Sequence, residues 1–265
     1  MNIFLFELKS NFKSHLIWIL VSCSVAYLFM LMYPAFYQNS KQLIEVFNRY
    51  PKEVLVAFGF DINQFFSAIG FYCFVLIYIE LIAAMQAIML GLGTSGRELR
   101  LRTTEFIITK PVKRTGILFA KGLSILVILV ITNILLTITS YVAISQVTRE
   151  PFSTQAFLLV CLSTFLLQCI FASLGVLLGV TFRRLRSIAP ISLGIVFAFF
   201  VVNMLKAIFD DPWIRYFSPF QFFDKYSTVL NASLELKFVI WTIVLVVGMI
   251  GFSFVYFNQK DIHAV

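Results

Sequence analysis

Six long apolar runs constrain this chain more than any other feature. They fall at roughly Leu16–Tyr37, Gly70–Leu92, Gly122–Ile144, Phe157–Phe182, Ile188–Leu205 and Phe238–Phe257. A helix needs about 20 mostly apolar residues to cross the hydrocarbon core of a bilayer, and each run is near that length. Strands of a membrane barrel are about half as long and alternate in polarity, whereas these runs are apolar on every side. Helices also satisfy their own backbone hydrogen bonds, which lipid cannot do for them. The expected fold is therefore all-α and integral to the membrane, with six transmembrane helices in one domain spanning residues 1–265. Composition agrees: 60% of residues are hydrophobic and 13% charged, against about 45–50% and about 25% in soluble domains. The first run is too long for a cleaved signal, whose apolar stretch is about 7–15 residues, and reads as a retained helix.

Six spans place both termini on one side. If that side is the cytoplasm, the inner segments hold thirteen basic and four acidic residues, and the outer segments hold eight of each. Lysine and arginine near span ends favour the cytoplasmic face. The net charge of +8 thus follows from membrane orientation, and no nucleic-acid partner is needed to explain it. Cys23, Cys73, Cys161 and Cys169 all lie in apolar runs without a C-x-x-C pair, so they read as small buried hydrophobes.

The N-terminal "MNIFLFELKSNFKSH" places Phe4, Leu5, Leu8 and Phe12 at helical spacing, with Glu7, Lys9, Ser10, Lys13 and Ser14 on the other side. This pattern predicts an amphipathic helix lying in the inner interface, its lysines near anionic lipid. Residues 38–69 are expected to form short helices on the outer face. The segment around 206–237 contains "DDPWIRYFSPFQFFDKY". It is too polar to span and too apolar to be a free loop, so it is expected either to cap the bundle or to dip into it.

The stretch "GLGTSGRELRLRTTEFIITKPVKRTG", from Gly91 to Gly116, begins with glycines at G-x-G-x-x-G spacing. That fingerprint has meaning only between a strand and a helix, and here the glycines close a membrane span. A P-loop fails as well, because Arg97 and Glu98 stand where Lys and Ser or Thr belong. The following residues predict a short cytoplasmic helix ended by Pro111. Too little cytoplasmic chain exists to bury it, so it either docks on a partner or lies on lipid headgroups.

Here the residues resemble the membrane subunits of ABC transporters of the ABC-2 (type V exporter) class. Those permeases carry a cytoplasmic coupling segment between helices two and three, with Glu, Gly-Thr and an acid, Pro, a basic residue and a Lys opening helix three. This chain has Glu98, Thr104-Glu105, Pro111, Arg114 and Lys121, with Thr103 in place of the glycine. "YFSPFQFFD" and the closing "YFNQKDI" resemble further family segments. The resemblance implies both ends in the cytoplasm, a second permease copy and two cytoplasmic ATPases holding ATP and Mg. It implies no enzymatic activity or cofactor in this chain. Contacts to the ATPase are expected around Arg97, Glu98, Arg100, Arg102, Thr104, Glu105, Pro111, Arg114 and Lys121. The implied function is export of amphipathic or lipophilic cargo such as peptides or antibiotics. The alternatives are a non-transporting immunity or sensor subunit, or a stand-alone secondary transporter.

Glu80 is the one formal charge within the six runs. A mid-span carboxylate costs about 2.5–3.5 kcal/mol on insertion scales and should face the bundle interior. It either lines the cargo path, together with Gln86 and Asn203, or bonds to a neighbouring helix. Asn133, Gln86, Gln168, Asn203 and Lys206 are its candidate partners. Gly175 and Gly179 form a G-x-x-x-G suited to close helix packing, within the bundle or between copies.

Overall fold

The computed structural model describes residues 3–97, 114–148, 151–182, 187–205 and 213–259. Among these the regular structure is helical. Five helices are long and apolar enough to cross a membrane: α1 (Ile3–Gln38), α2 (Ala68–Ser95), α3 (Arg114–Val147), α4 (Thr154–Thr181) and α6 (Leu236–Gln259). The fifth expected span is shorter, the 17-residue α5 (Ala189–Leu205). At 1.5 Å per residue α5 is about 25 Å long, a little less than the hydrocarbon thickness.

Successive helices alternate in direction. The start of α1, the end of α2 and the start of α3 meet through Glu7, Arg97 and Lys121. The other ends of α1 and α2 meet through Tyr33 and Phe71. We call the end holding Glu7 proximal and the opposite end distal. The most extensive packing joins α2 to α4, followed by α1 to α3. In lipid, burial of apolar surface does not drive helices together, and close van der Waals contact must do so instead. Small residues make this possible between α2 and α4. A Cβ at Gly91 would strike the Ala172 carbonyl, and one at Gly175 the Ile88 carbonyl. The G-x-x-x-G pair therefore packs inside the bundle.

Ser67 and Ser153 cap α2 and α4 at the distal end, accepting from the amides of Gly70 and Ala156. Beyond that end lie short helices at Ser40–Phe47, Lys52–Ala57 and Ile62–Phe65, as the sequence leads one to expect. Phe36, Phe47, Phe60, Phe65, Phe71 and Phe74 pack ring against ring beneath them.

The N-terminal stretch departs from expectation. It is no separate helix lying along an interface, because α1 is helical without a break from Ile3. Its inward stripe is polar: Glu7, Asn11 and His15 are buried, while Leu5, Phe6 and Phe12 face outward. In water the apolar face would turn in. In a membrane the polar face finds partners only inside the bundle.

The segment between α5 and α6 turns into the bundle. Pro219, Phe220, Gln221, Phe222 and Phe223 are buried. Ser218 donates to the Phe199 carbonyl, and the Gln221 amide donates to the Asn203 carbonyl at 2.9 Å. Phe222 stacks on Phe238 of α6.

Candidate functional site

Two clusters of buried charge organise the bundle. The proximal one starts from Glu7, whose side chain is 3% exposed. Its carboxylate lies 2.9 Å from the Arg97 guanidinium and 3.1 Å from the Lys121 ammonium. One turn along α1, Asn11 accepts from Arg97 at 2.6 Å and donates to the Thr94 hydroxyl at 2.9 Å. Lys121 also donates to the Thr94 carbonyl. The last carbonyls of a helix lack intrahelical partners and carry the negative end of its dipole. Thr94 is in the last turn of α2, so both cations sit where that helix end favours them. Removing one partner of such a buried pair costs about 3–5 kcal/mol, because the other charge is left unpaired away from water.

This junction joins three helices across the proximal end. Arg97 and Lys121 lie on either side of the expected coupling segment. Glu98, Arg100, Arg102, Thr104, Glu105 and Pro111 lie outside the described residues, as does the Arg114 side chain; Arg114 itself opens α3. Sequence reading placed Arg97 and Lys121 in this region but set Glu7 on the solvent side of its helix. The missed signal was the four-residue spacing of Glu7, Asn11 and His15, one polar stripe along an otherwise apolar helix.

The second cluster centres on Glu80, halfway along α2 and 3% exposed. None of its expected partners is bonded to it among the described residues, and Lys206 lies outside them. Lys225 fills that role, its ammonium 2.7 Å from the Glu80 carboxylate, with the Thr164 hydroxyl of α4 at 3.5 Å. Lys225 opens the short helix Lys225–Asn231, which Asp224 caps by accepting from the amides of Tyr226 and Ser227. The re-entrant course of the preceding residues brings that helix start deep enough to reach Glu80. Nothing in sequence distinguishes Lys225 from the other cations of its segment, because the depth of its side chain is set by tertiary packing alone.

Gln86 and Asn203 do not join Glu80. The Gln86 amide donates to the Thr132 hydroxyl of α3 at 3.0 Å, and Asn203 meets Gln221 through its backbone carbonyl. Six residues on a helix turn through about 240° at 3.6 residues per turn, which separates Glu80 and Gln86 on α2. Asn133 and Gln168 bond to each other across α3 and α4. These amides hold helices together in the manner expected of polar groups in a bundle. Cys73 and Cys161 are buried free thiols.

Outside the bundle proper, Arg215 pairs with Glu235 and lies 4.2 Å from the Phe238 ring centroid. The Tyr226 hydroxyl donates to the Gly59 carbonyl at 2.8 Å. Gly59 has a φ of 84°, a left-handed turn that glycine adopts without strain.

A bundle of lipid-length helices whose buried charges pair internally defines a multi-pass integral membrane protein. A family model described as ABC-2 family transporter protein matches residues 1–262. The chain belongs to that family and is a membrane permease of an ABC transporter, a subunit class that typically works with an ABC ATPase. Comparison with curated proteins gives no match.

Proposed function

We propose that this permease belongs to an ATP-driven exporter, and that motion of cytoplasmic ATPase subunits enters it through the segment bounded by Arg97 and Lys121. One observation carries the reading: Glu7 ties Arg97 and Lys121 into one buried junction. A push on the chain between them acts on α1, α2 and α3 together. ATP then has only to favour one arrangement of these helices over another. Glu98, Arg100, Arg102, Thr104, Glu105, Pro111 and Arg114 are the proposed contacts or shape-setting residues of the segment, and the ATP and Mg sit on the ATPase. Both termini are cytoplasmic in this reading, which the excess of lysine and arginine at that end supports. A second permease copy completes the assembly.

Amphipathic or lipophilic cargo, of peptide or antibiotic type, suits a path with little fixed charge. The one acid within the six apolar runs, Glu80, is already matched by Lys225. Glu80, Gln86 and Asn203 remain the proposed path residues, reached only after the helices rearrange.

Purification of the tagged chain from its native membrane tests the reading. An ABC ATPase should co-elute, and alanines at Glu98, Arg100, Arg102 and Glu105 should release it while the permease stays inserted. Inverted vesicles holding the pair should accumulate an amphipathic peptide on ATP addition. Absence of a co-eluting ATPase, or retention of it by the alanine variant, refutes the coupling site.

A further inference from the structure

The distal segment from Trp213 to Asn231 lies over the end of the bundle, with Trp213, Phe217 and Leu230 exposed and residues 218–223 turned inward, and it presents one buried charge to the interior, Lys225. We infer that this segment is a strap over the distal end, held shut by the Lys225–Glu80 pair acting as a latch. The inference concerns the outward-facing closure only and does not depend on how an ATPase couples.

Three observations support it. The pair is short, and both side chains are below a tenth exposed. A charge so placed has no alternative partner in lipid, so separation leaves two unpaired ions and strongly favours the closed form. The rest of the strap is attached by contacts that separate more easily. Gln221 and Ser218 donate to single backbone carbonyls of α5, Tyr226 donates to Gly59, and Phe222 stacks on Phe238. Arg215 pairs with Glu235, but those side chains are 18% and 34% exposed, and a pair so open to its surroundings is worth little. Finally, the strap joins α5 to α6, so relative movement of those two helices pulls on it directly. Lys225 is thus a positioning residue: it fixes where the strap lies.

The chain contains its own reporter. Cys73 is two helical turns from Glu80 towards the distal end of α2, on the same face, and is fully buried. A lysine that reaches Glu80 from the distal side must pass over that face. Opening the strap therefore uncovers Cys73.

The experiment uses the full chain in native membranes with Cys23, Cys161 and Cys169 replaced by serine, and a membrane-impermeant maleimide applied from the distal side. The parent should label slowly. Lys225→Met and Glu80→Gln should label about tenfold faster or more, because losing one partner of a buried pair shifts local opening by at least that factor. The exchanged variant Glu80→Lys/Lys225→Glu should return to slow labelling, and Lys225→Arg should stay slow. The exchange guards against simple misfolding, since a pairing role predicts rescue where general damage does not. Single variants as protected as the parent overturn the latch. So does fast labelling that the exchange fails to reverse.

Discussion

The Glu7 carboxylate lies 3.1 Å from the Lys121 ammonium, and the same carboxylate reaches Arg97 at 2.9 Å. An acid near the N-terminus thereby neutralises two cations that flank a segment far along the chain. Glu7→Gln should lower stability by about 3–5 kcal/mol, since two buried cations lose their counter-charge. Lys9→Gln on the exposed side of the same helix should change it by less than about 0.5 kcal/mol. Thermal unfolding of the purified protein in detergent separates the two.

Gly91 and Gly175 let α2 and α4 approach backbone to backbone. Alanine at either should force the helices apart at about 1–3 kcal/mol, the usual cost of overpacking. Gly194 and Gly248 have no described atom near the position of an added Cβ. Alanine there should be neutral or slightly stabilising through helix propensity. Unfolding midpoints of the four variants provide the check.

Burial pushes the Tyr226 phenol well above its ordinary range. A raised acid pKa in the folded state means that, above about pH 10, the unfolded chain loses this proton while the folded chain keeps it. Stability should therefore fall as pH rises through that value. Tyr226→Phe should flatten the alkaline fall while costing about 1 kcal/mol for the hydrogen bond to Gly59. Unfolding followed from neutral to strongly alkaline pH reads both effects.

Glu235 behaves oppositely. Partial burial pushes its carboxyl up, but hydrogen bonds from Arg215 and Lys237 outweigh that and leave it below the usual range. Its contribution is present above the unfolded carboxylate pKa of about 4.3 and is lost as pH falls through the folded value. Glu235→Gln should remove part of the acid dependence of stability. Arg215→Lys should weaken it through loss of the flat contact with Phe238.

Span positions were legible in sequence because hydrocarbon thickness sets a length that any apolar run must meet. Of the three glycines expected to close the second span, Gly96 does so and α2 runs on through Gly91 and Gly93. The spacing of Gly175 and Gly179 announced close packing but left open whether within the bundle or between copies. The partners of buried charge were not legible. Glu80 announced itself by its position, yet Lys225 lies far along the chain and reaches it only because Pro219–Phe223 turn inward. Glu7 was misplaced for a related reason. Amphipathic reasoning assigns polar faces to solvent, and in this bundle the polar face of α1 is the buried one. The proposed contact residues between Glu98 and Pro111 were named from motif spacing and lie outside the described residues.

α1 has 36 residues without interruption, about 54 Å of helix. Its first turns are bolted to Arg97 and Lys121, and its last ones set Tyr33 and Phe36 against Phe65 and Phe71. Its one interior proline, Pro34, stands near the distal end, so the long stretch before it has no proline to kink it. A tilt of the polar knot at one pole is thus expected to reach the aromatic nest at the other.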